Sequence, residues 1–103
     1  MTTINAVPTG NPETPLSGFQ QLTVAASSVS LTVPSGAITG HCRLETAQIR
    51  FTLDGTTPTT TIGTLLEVGE TLLLENRGEL TGLKAIRTGG TSGLLNVEYS
   101  GRN

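Results

Sequence analysis

The sequence predicts an all-β chain that folds as a single antiparallel β-sandwich or jelly roll with about seven to eight short strands. Its 103 residues are enough for one domain and leave no room for a second. Threonine is the most frequent residue and glycine, with 13 copies, is also common. Threonine favours strands and glycine favours turns. Runs of alternating polarity recur about every 8–12 residues between the turns, which is typical of sandwiches.

The N-terminal segment differs from the rest, and we predict an extended, proline-rich arm at residues 1–20 before a sandwich domain at residues 21–103. Proline fixes φ and keeps the preceding residue out of the helical region, so this stretch should be extended and irregular. A solvated tail is usually charged or rich in serine and glycine. Here one charge and spaced apolar residues occur instead. The segment is either a free tail or a docking arm, and the docking residues would be Ile4, Val7, Pro8, Pro12, Pro15, Leu16 and Phe19.

The first strands of the domain are predicted from runs of β-branched and apolar residues. Gln20–Ala26 and Val29–Val33 are such runs, and the second alternates strictly between apolar and polar residues. A turn follows at residues 34–36, where the sequence is Pro-Ser-Gly. Ala37–Arg43 is ambiguous between a short strand and a loop.

Thr46–Leu53 has the clearest strand pattern of the chain. Every second residue is apolar, so one face should be buried and the other solvated. The inward residues would be Ala47, Ile49, Phe51 and Leu53. Asp54 and Gly55 end the strand in a tight turn, and a threonine-rich loop leads to a further strand at Ile62–Val68.

Three consecutive leucines lie in the next predicted strand, Thr71–Glu75. A continuous apolar run indicates burial on both faces, or one face in the core and the other in a subunit contact. We therefore place a candidate subunit interface at Leu72, Leu73 and Leu74.

The C-terminal part is predicted as a turn at residues 76–78, a short strand at Leu83–Arg87 and a final alternating strand at Leu94–Tyr99. The glycine-rich loop at residues 89–93 has strands on both sides, and no Gly-Lys-Ser/Thr sequence follows it. A phosphate-binding loop needs a following helix. We therefore expect a hairpin connection at this loop.

Reactive side chains are scarce, and we predict that the chain is not an enzyme. His41 and Cys42 are adjacent, but neighbouring residues on a strand point to opposite faces and would not form a base–nucleophile pair. One histidine and one cysteine do not complete a closed zinc site, which needs four ligands. We expect no catalytic residue, no metal site and no cofactor. The clustered carboxylates, interpreted as a solvated rim, are Glu67, Glu70, Glu75 and Glu79.

Charge and hydropathy argue against two further classes of partner. The net charge of −2 gives no basic footprint for nucleic acid. No apolar run approaches the roughly 20 residues of a membrane helix. The N-terminal sequence lacks the basic and apolar regions of a secretory signal. We expect neither a nucleic-acid nor a membrane partner, and synthesis in a cytoplasm.

From Ile49 the chain reads IRFTLDGTTPTTTIGTLLEVGETLLLE, with the pattern Gly-x-x-Leu-x-x-Gly-x-x-Leu-x-Leu at residues 63–74. With the final LLNVEY strand, residues 46–100 resemble the small β-sandwich structural proteins of tailed-bacteriophage virions, of the capsid decoration or cement type. The resemblance implies a virion protein that stabilises the outer surface of the head and binds the major capsid protein or another virion protein. A tail, neck or fibre-associated role is the alternative. Small domains often gain stability by oligomerising, and we favour a homotrimer.

A second, narrower stretch, FTLDGTTPT followed by LKAI, is similar to immunoglobulin-like modules of chitobiase-type glycosidases. This similarity also implies a β-sandwich and keeps open a carbohydrate-binding function. Such modules usually stack sugars on exposed aromatic rings, and this chain has Phe19, Phe51 and Tyr99. Of these, Phe51 should face the core.

Overall fold

A computed structural model describes residues 13–102 and confirms the β-sandwich. Two four-stranded antiparallel sheets pack together, with strand order β1-β8-β3-β6 in sheet A and β2-β7-β4-β5 in sheet B. The elements are β1 (Glu13–Val24), β2 (Val29–Ser30), β3 (Ala37–Glu45), β4 (Ile49–Thr52), β5 (Thr64–Leu66), β6 (Thr71–Leu74), α1 (Arg77–Gly82), β7 (Lys84–Arg87) and β8 (Gly93–Arg102).

The chain passes repeatedly between the sheets. Within residues 13–102, β4 and β5 are the one pair of consecutive strands that hydrogen-bond to each other. The hairpin expected at residues 89–93 is therefore wrong, because β7 lies in sheet B and β8 in sheet A. A glycine-rich loop indicates that the chain turns there. It does not indicate whether the next strand pairs with the previous one, because that depends on where the next strand is buried.

The core fills the space between the sheets, and the central strand β8 contributes three large side chains to it. Leu95, Val97 and Tyr99 on its inner side are 0–2 % exposed. Full burial of one such apolar side chain contributes about 1.5–3 kcal/mol. The Tyr99 hydroxyl donates to Gln20 Oε1 at 2.8 Å, and the same oxygen accepts the Thr32 backbone N–H at 3.0 Å. These bonds satisfy the polar groups where the core meets the loop after β2.

The turn predicted at residues 76–78 continues as the short helix α1. Asn76 caps it, since Asn76 Oδ1 accepts the Glu79 N–H at 2.9 Å, and Glu79 Oε1 accepts the Glu75 N–H at 2.7 Å. Leu80 then packs its buried side chain on Gly40 of β3. A Cβ at Gly40 would lie 2.8 Å from Leu80 Cδ2, so the missing side chain makes room for the helix.

Strand β1 begins inside the segment that the sequence analysis assigned to the arm. Glu13 pairs with Arg102 and Phe19 with Glu98, with a register shift between Pro15 and Phe19. Proline lacks the N–H that a ladder needs, and β1 is an edge strand, where proline is tolerated. Of the predicted docking residues, the first four lie outside the described residues: Ile4, Val7, Pro8 and Pro12.

Candidate binding face on the outer side of sheet A

The outer face of sheet A, which points away from sheet B, carries a row of four side chains across all four strands. Phe19 on β1 lies opposite Glu98 on β8, which lies opposite His41 on β3, which lies opposite Leu73 on β6. The two ends of this row are apolar and exposed, Phe19 by 62 % and Leu73 by 55 %. We call these four residues the apolar-ended row.

A second, polar row runs beside the first. It consists of Gln21, Asn96, Arg43 and Thr71, again one residue from each strand. The Gln21 amide donates to Asn96 Oδ1 at 2.9 Å, which fixes the orientation of both side chains. The face therefore has an apolar side chain at each end of one row, and polar or charged side chains at all other positions of the two rows.

An open concavity of about 240 Å³ lies where the two rows meet. It is lined by Phe19, His41, Arg43, Asn96 and Glu98. One guanidinium and one carboxylate are formally balanced, so the site favours neither anions nor cations strongly. Its chemistry is hydrogen bonding from planar polar groups beside one aromatic ring, which is the composition of a recognition surface.

The period of two along each strand explains which residues form this face. On β1, Leu22 and Val24 are buried against sheet B, so Phe19 and Gln21 point outward. Phe19, a predicted docking residue, is thus exposed, while Pro15 lies opposite Ser100 in the edge strand and Leu16 also lies in β1.

The leucine triplet of β6 separates into different environments. Leu74 is fully buried in the core of its own chain, and Leu72 is half-buried against that core. Leu73 is exposed on the outer face. Of the three residues in the predicted subunit interface, Leu73 is the one whose side chain is exposed to another molecule.

Sequence reasoning did not assign a binding role to His41, Arg43, Asn96 or Glu98. Their outward direction follows from alternation with buried neighbours, as the alternating pattern of Leu94–Tyr99 predicts for Asn96 and Glu98. Their proximity depends on the pairing of β3 with β8, which are far apart in sequence. No local pattern contains that information.

The neighbours His41 and Cys42 point to opposite sides of β3, as predicted. His41 is exposed on the outer face, and Cys42 is fully buried. Burial raises the pKa of the Cys42 thiol to about 12, so the thiol stays protonated and unreactive at neutral pH. Within residues 13–102, no three or more His, Cys, Asp or Glu side chains cluster as metal ligands would.

The buried thiol and phenol predict a loss of stability in alkali. Burial, with a smaller contribution from Cys42, raises the pKa of Tyr99 to about 12 as well. The unfolded chain releases these protons from about pH 9, whereas the folded chain retains them, so unfolding becomes easier as the pH rises toward 12. Cys42 alone is expected to lower the free energy of unfolding by about 1.4 kcal/mol at pH 10.

Urea unfolding between pH 7.5 and about pH 10.5 measures this effect. Cys42→Ala should make the fall of the free energy of unfolding with pH less steep from about pH 9 upward, whatever its effect on packing at neutral pH. A slope that is the same with and without the thiol would contradict the assignment.

In the described part of the chain, no helix is both long and apolar enough to cross a membrane. Comparisons with protein-family models, with curated proteins and with solved structures gave no significant match.

Proposed function

We propose that this protein is a non-enzymatic structural component of a tailed-bacteriophage virion that binds the outer surface of the head as a decoration or cement protein. The outer face of sheet A is the observation that supports binding. Sheets that face only water usually carry polar residues there. Here Phe19 and Leu73 are exposed on one face, with Arg43 in the neighbouring polar row. Aromatic residues and arginine are enriched at protein interfaces.

The virion assignment is supported by the sequence resemblance over residues 46–100. In the structure, Gly63 and Gly69 have φ of 126° and 89°, a region that favours glycine, and each lies just before a strand. Leu66 and Leu74 of the same pattern are buried in the core. The pattern is thus a way of building β5 and β6, so it supports a shared fold more strongly than a shared partner.

The proposed partner is the major capsid protein or another virion protein, and the proposed assembly state is a homotrimer made in the host cytoplasm. A symmetric shell presents the same site many times, so weak contacts of an oligomer add up through multivalency. A tail, neck or fibre-associated position uses the same physical properties and is the alternative location.

Carbohydrate binding is a second candidate, and the concavity is the observation that favours it. Phe51 and Tyr99 are buried, which confirms that Phe51 faces the core and leaves Phe19 as the exposed ring. Asn96 and Glu98 beside it are suited to sugar hydroxyls. A glycan array should then show binding that Phe19→Ala abolishes. Binding to heads but to no glycan would reject this candidate.

Co-sedimentation with heads that lack this protein tests the virion proposal. The full chain should bind heads, and Phe19→Ser should weaken binding about tenfold, as expected for an aromatic anchor at an interface. Ile62→Ser is a matched control, because Ile62 is 56 % exposed but lies in the β4–β5 loop of sheet B. If the full chain does not bind heads, or any other part of the virion, the proposal is wrong.

A further inference from the structure

We propose that the outer face of sheet A binds residues 1–12 of a second copy of this chain, with the Ile4–Pro8 stretch lying across the apolar-ended row. This inference rests on the proposed function and deepens it, because the face would join copies of the chain, and Phe19→Ser would weaken head binding by dispersing the multivalent assembly. In the assembly, each copy would supply its N-terminal segment to a neighbour and receive one in turn.

The size of the face fits a short segment better than a whole domain. Four strands and the two rows of outward residues cover roughly 20 by 13 Å, or about 260 Å². A stable interface between two globular domains buries about 800 Å² on each partner. An extended segment of a few residues needs less area, and its prolines reduce the entropy lost on docking.

The spacing of apolar residues matches between the segment and the face. Phe19 and Leu73 are separated by three strand spacings, or about 14 Å. Ile4 and Pro8 are four residues apart, or about 13 Å in an extended chain. A segment that crosses the strands can therefore place an apolar group on each end of the row.

The polarity of the segment matches as well. Residues 1–12 contain no Asp, Glu, Lys or Arg. Side chains alternate in an extended chain, so Ala6 would face Glu98 and His41 between Ile4 and Pro8. The small Ala6 side chain lets the backbone of the segment approach, and backbone N–H and C=O groups can donate to the carboxylate and accept from the imidazole N–H.

The geometry favours a neighbour's segment over the chain's own. Glu13 pairs four β8 residues beyond Glu98, so β1 begins about 13 Å from the row and runs toward it. To return to its own face, the chain would spend about four residues on a tight turn. Pro8 and Val7 would then lie about 13 and 10 Å from the row, with Ile4 alone reaching it, so the Ile4–Pro8 stretch of the same chain could not lie across the row.

Disulfide trapping between two variants tests this inference. Ala6→Cys lies in the middle of the segment and His41→Cys in the middle of the row, so the pair does not depend on the direction of docking. Leu65→Cys is the control, because Leu65 is exposed on β5 of the opposite sheet. The native Cys42 is buried and should not compete. Mixed under mild oxidation, Ala6→Cys and His41→Cys should form a heterodimer about ten times faster than Ala6→Cys and Leu65→Cys.

Equal rates of heterodimer formation for the two pairs would overturn the inference. A chain that carries both Ala6→Cys and His41→Cys is a second test, and a disulfide that forms only within that chain would also overturn it. So would a face that binds glycans and never the segment. A second measurement is native mass. Phe19→Ser with Leu73→Ser should fold, because both side chains are exposed, and should lose self-association.

The two proposals fail in different ways. If the double variant still assembles like the wild type and the unmodified full chain binds heads, the segment–face contact is wrong and the virion role stands. If the trapped heterodimer forms but the full chain binds no part of the virion, the contact stands and the virion role is wrong.

Discussion

Replacing Gly82 by alanine is expected to lower the free energy of unfolding by about 3 kcal/mol or more. Gly82 is the last residue of α1, and its carbonyl accepts the Gly55 N–H at 3.0 Å. A Cβ at this position would overlap the carbonyl oxygen of Leu53 and lie 3.0 Å from its carbonyl carbon. Both atoms are backbone, so no side-chain rotation can relieve the clash. The helix would have to move away from the turn after β4.

The sign of this prediction is not trivial, because alanine is otherwise favoured over glycine. In a helix without a clash, the substitution would stabilise the chain by about 0.4–1 kcal/mol through the unfolded state. Gly89→Ala is the control, since a Cβ there meets no atom within 4 Å. Urea unfolding of both variants measures the difference. If Gly82→Ala is as stable as Gly89→Ala, then α1 does not pack on this turn.

Alternation of polarity was enough to predict the fold class and several strands. The strand predicted at Thr46–Leu53 is shorter in the structure, Ile49–Thr52, but its alternation is as predicted, because Ile49 and Phe51 are buried and Arg50 and Thr52 are not. Within residues 13–102 there are eight strands in two antiparallel sheets, which agrees with the predicted seven to eight. Local patterns succeed here because each strand has one face in the core and one in solvent.

Local patterns failed where inward residues are small or where distant strands decide the outcome. β3 looked ambiguous because Gly40 and Cys42 stand at its inward positions, where larger apolar residues would have marked a strand. The capping signal of α1, Asn76 followed three residues later by Glu79, was present in the sequence but was read as part of a turn.

The candidate face was partly predictable in the same sense. Phe19 and Leu73 were singled out as docking and interface residues, but for reasons that concerned whole segments. Their alignment in one row depends on β1 and β6 lying at opposite edges of sheet A, with β8 and β3 between them. This strand order brings together residues that are far apart in the sequence, so it cannot be predicted from any short stretch of the chain.

The neighbouring leucines of β6 should separate stability from binding. Leu74→Ala is expected to lower the free energy of unfolding by about 2–5 kcal/mol, because the side chain is fully buried and its loss leaves a cavity. Leu73→Ala changes the same residue type in the same strand, but its side chain is 55 % exposed. We expect its stability to stay within about 0.5 kcal/mol of the wild type.

Binding should show the opposite order. Leu73→Ala is expected to weaken self-association about tenfold, since it removes one apolar end of the row. Leu74→Ala, measured below its unfolding midpoint, should retain the outer face and associate like the wild type. Sedimentation velocity and urea unfolding of both variants give the four values needed. Neighbouring residues of one strand point to opposite faces, so an equal loss of stability in the two variants would mean that β6 is not oriented as described. Unchanged self-association of Leu73→Ala would mean that Leu73 does not belong to the binding face.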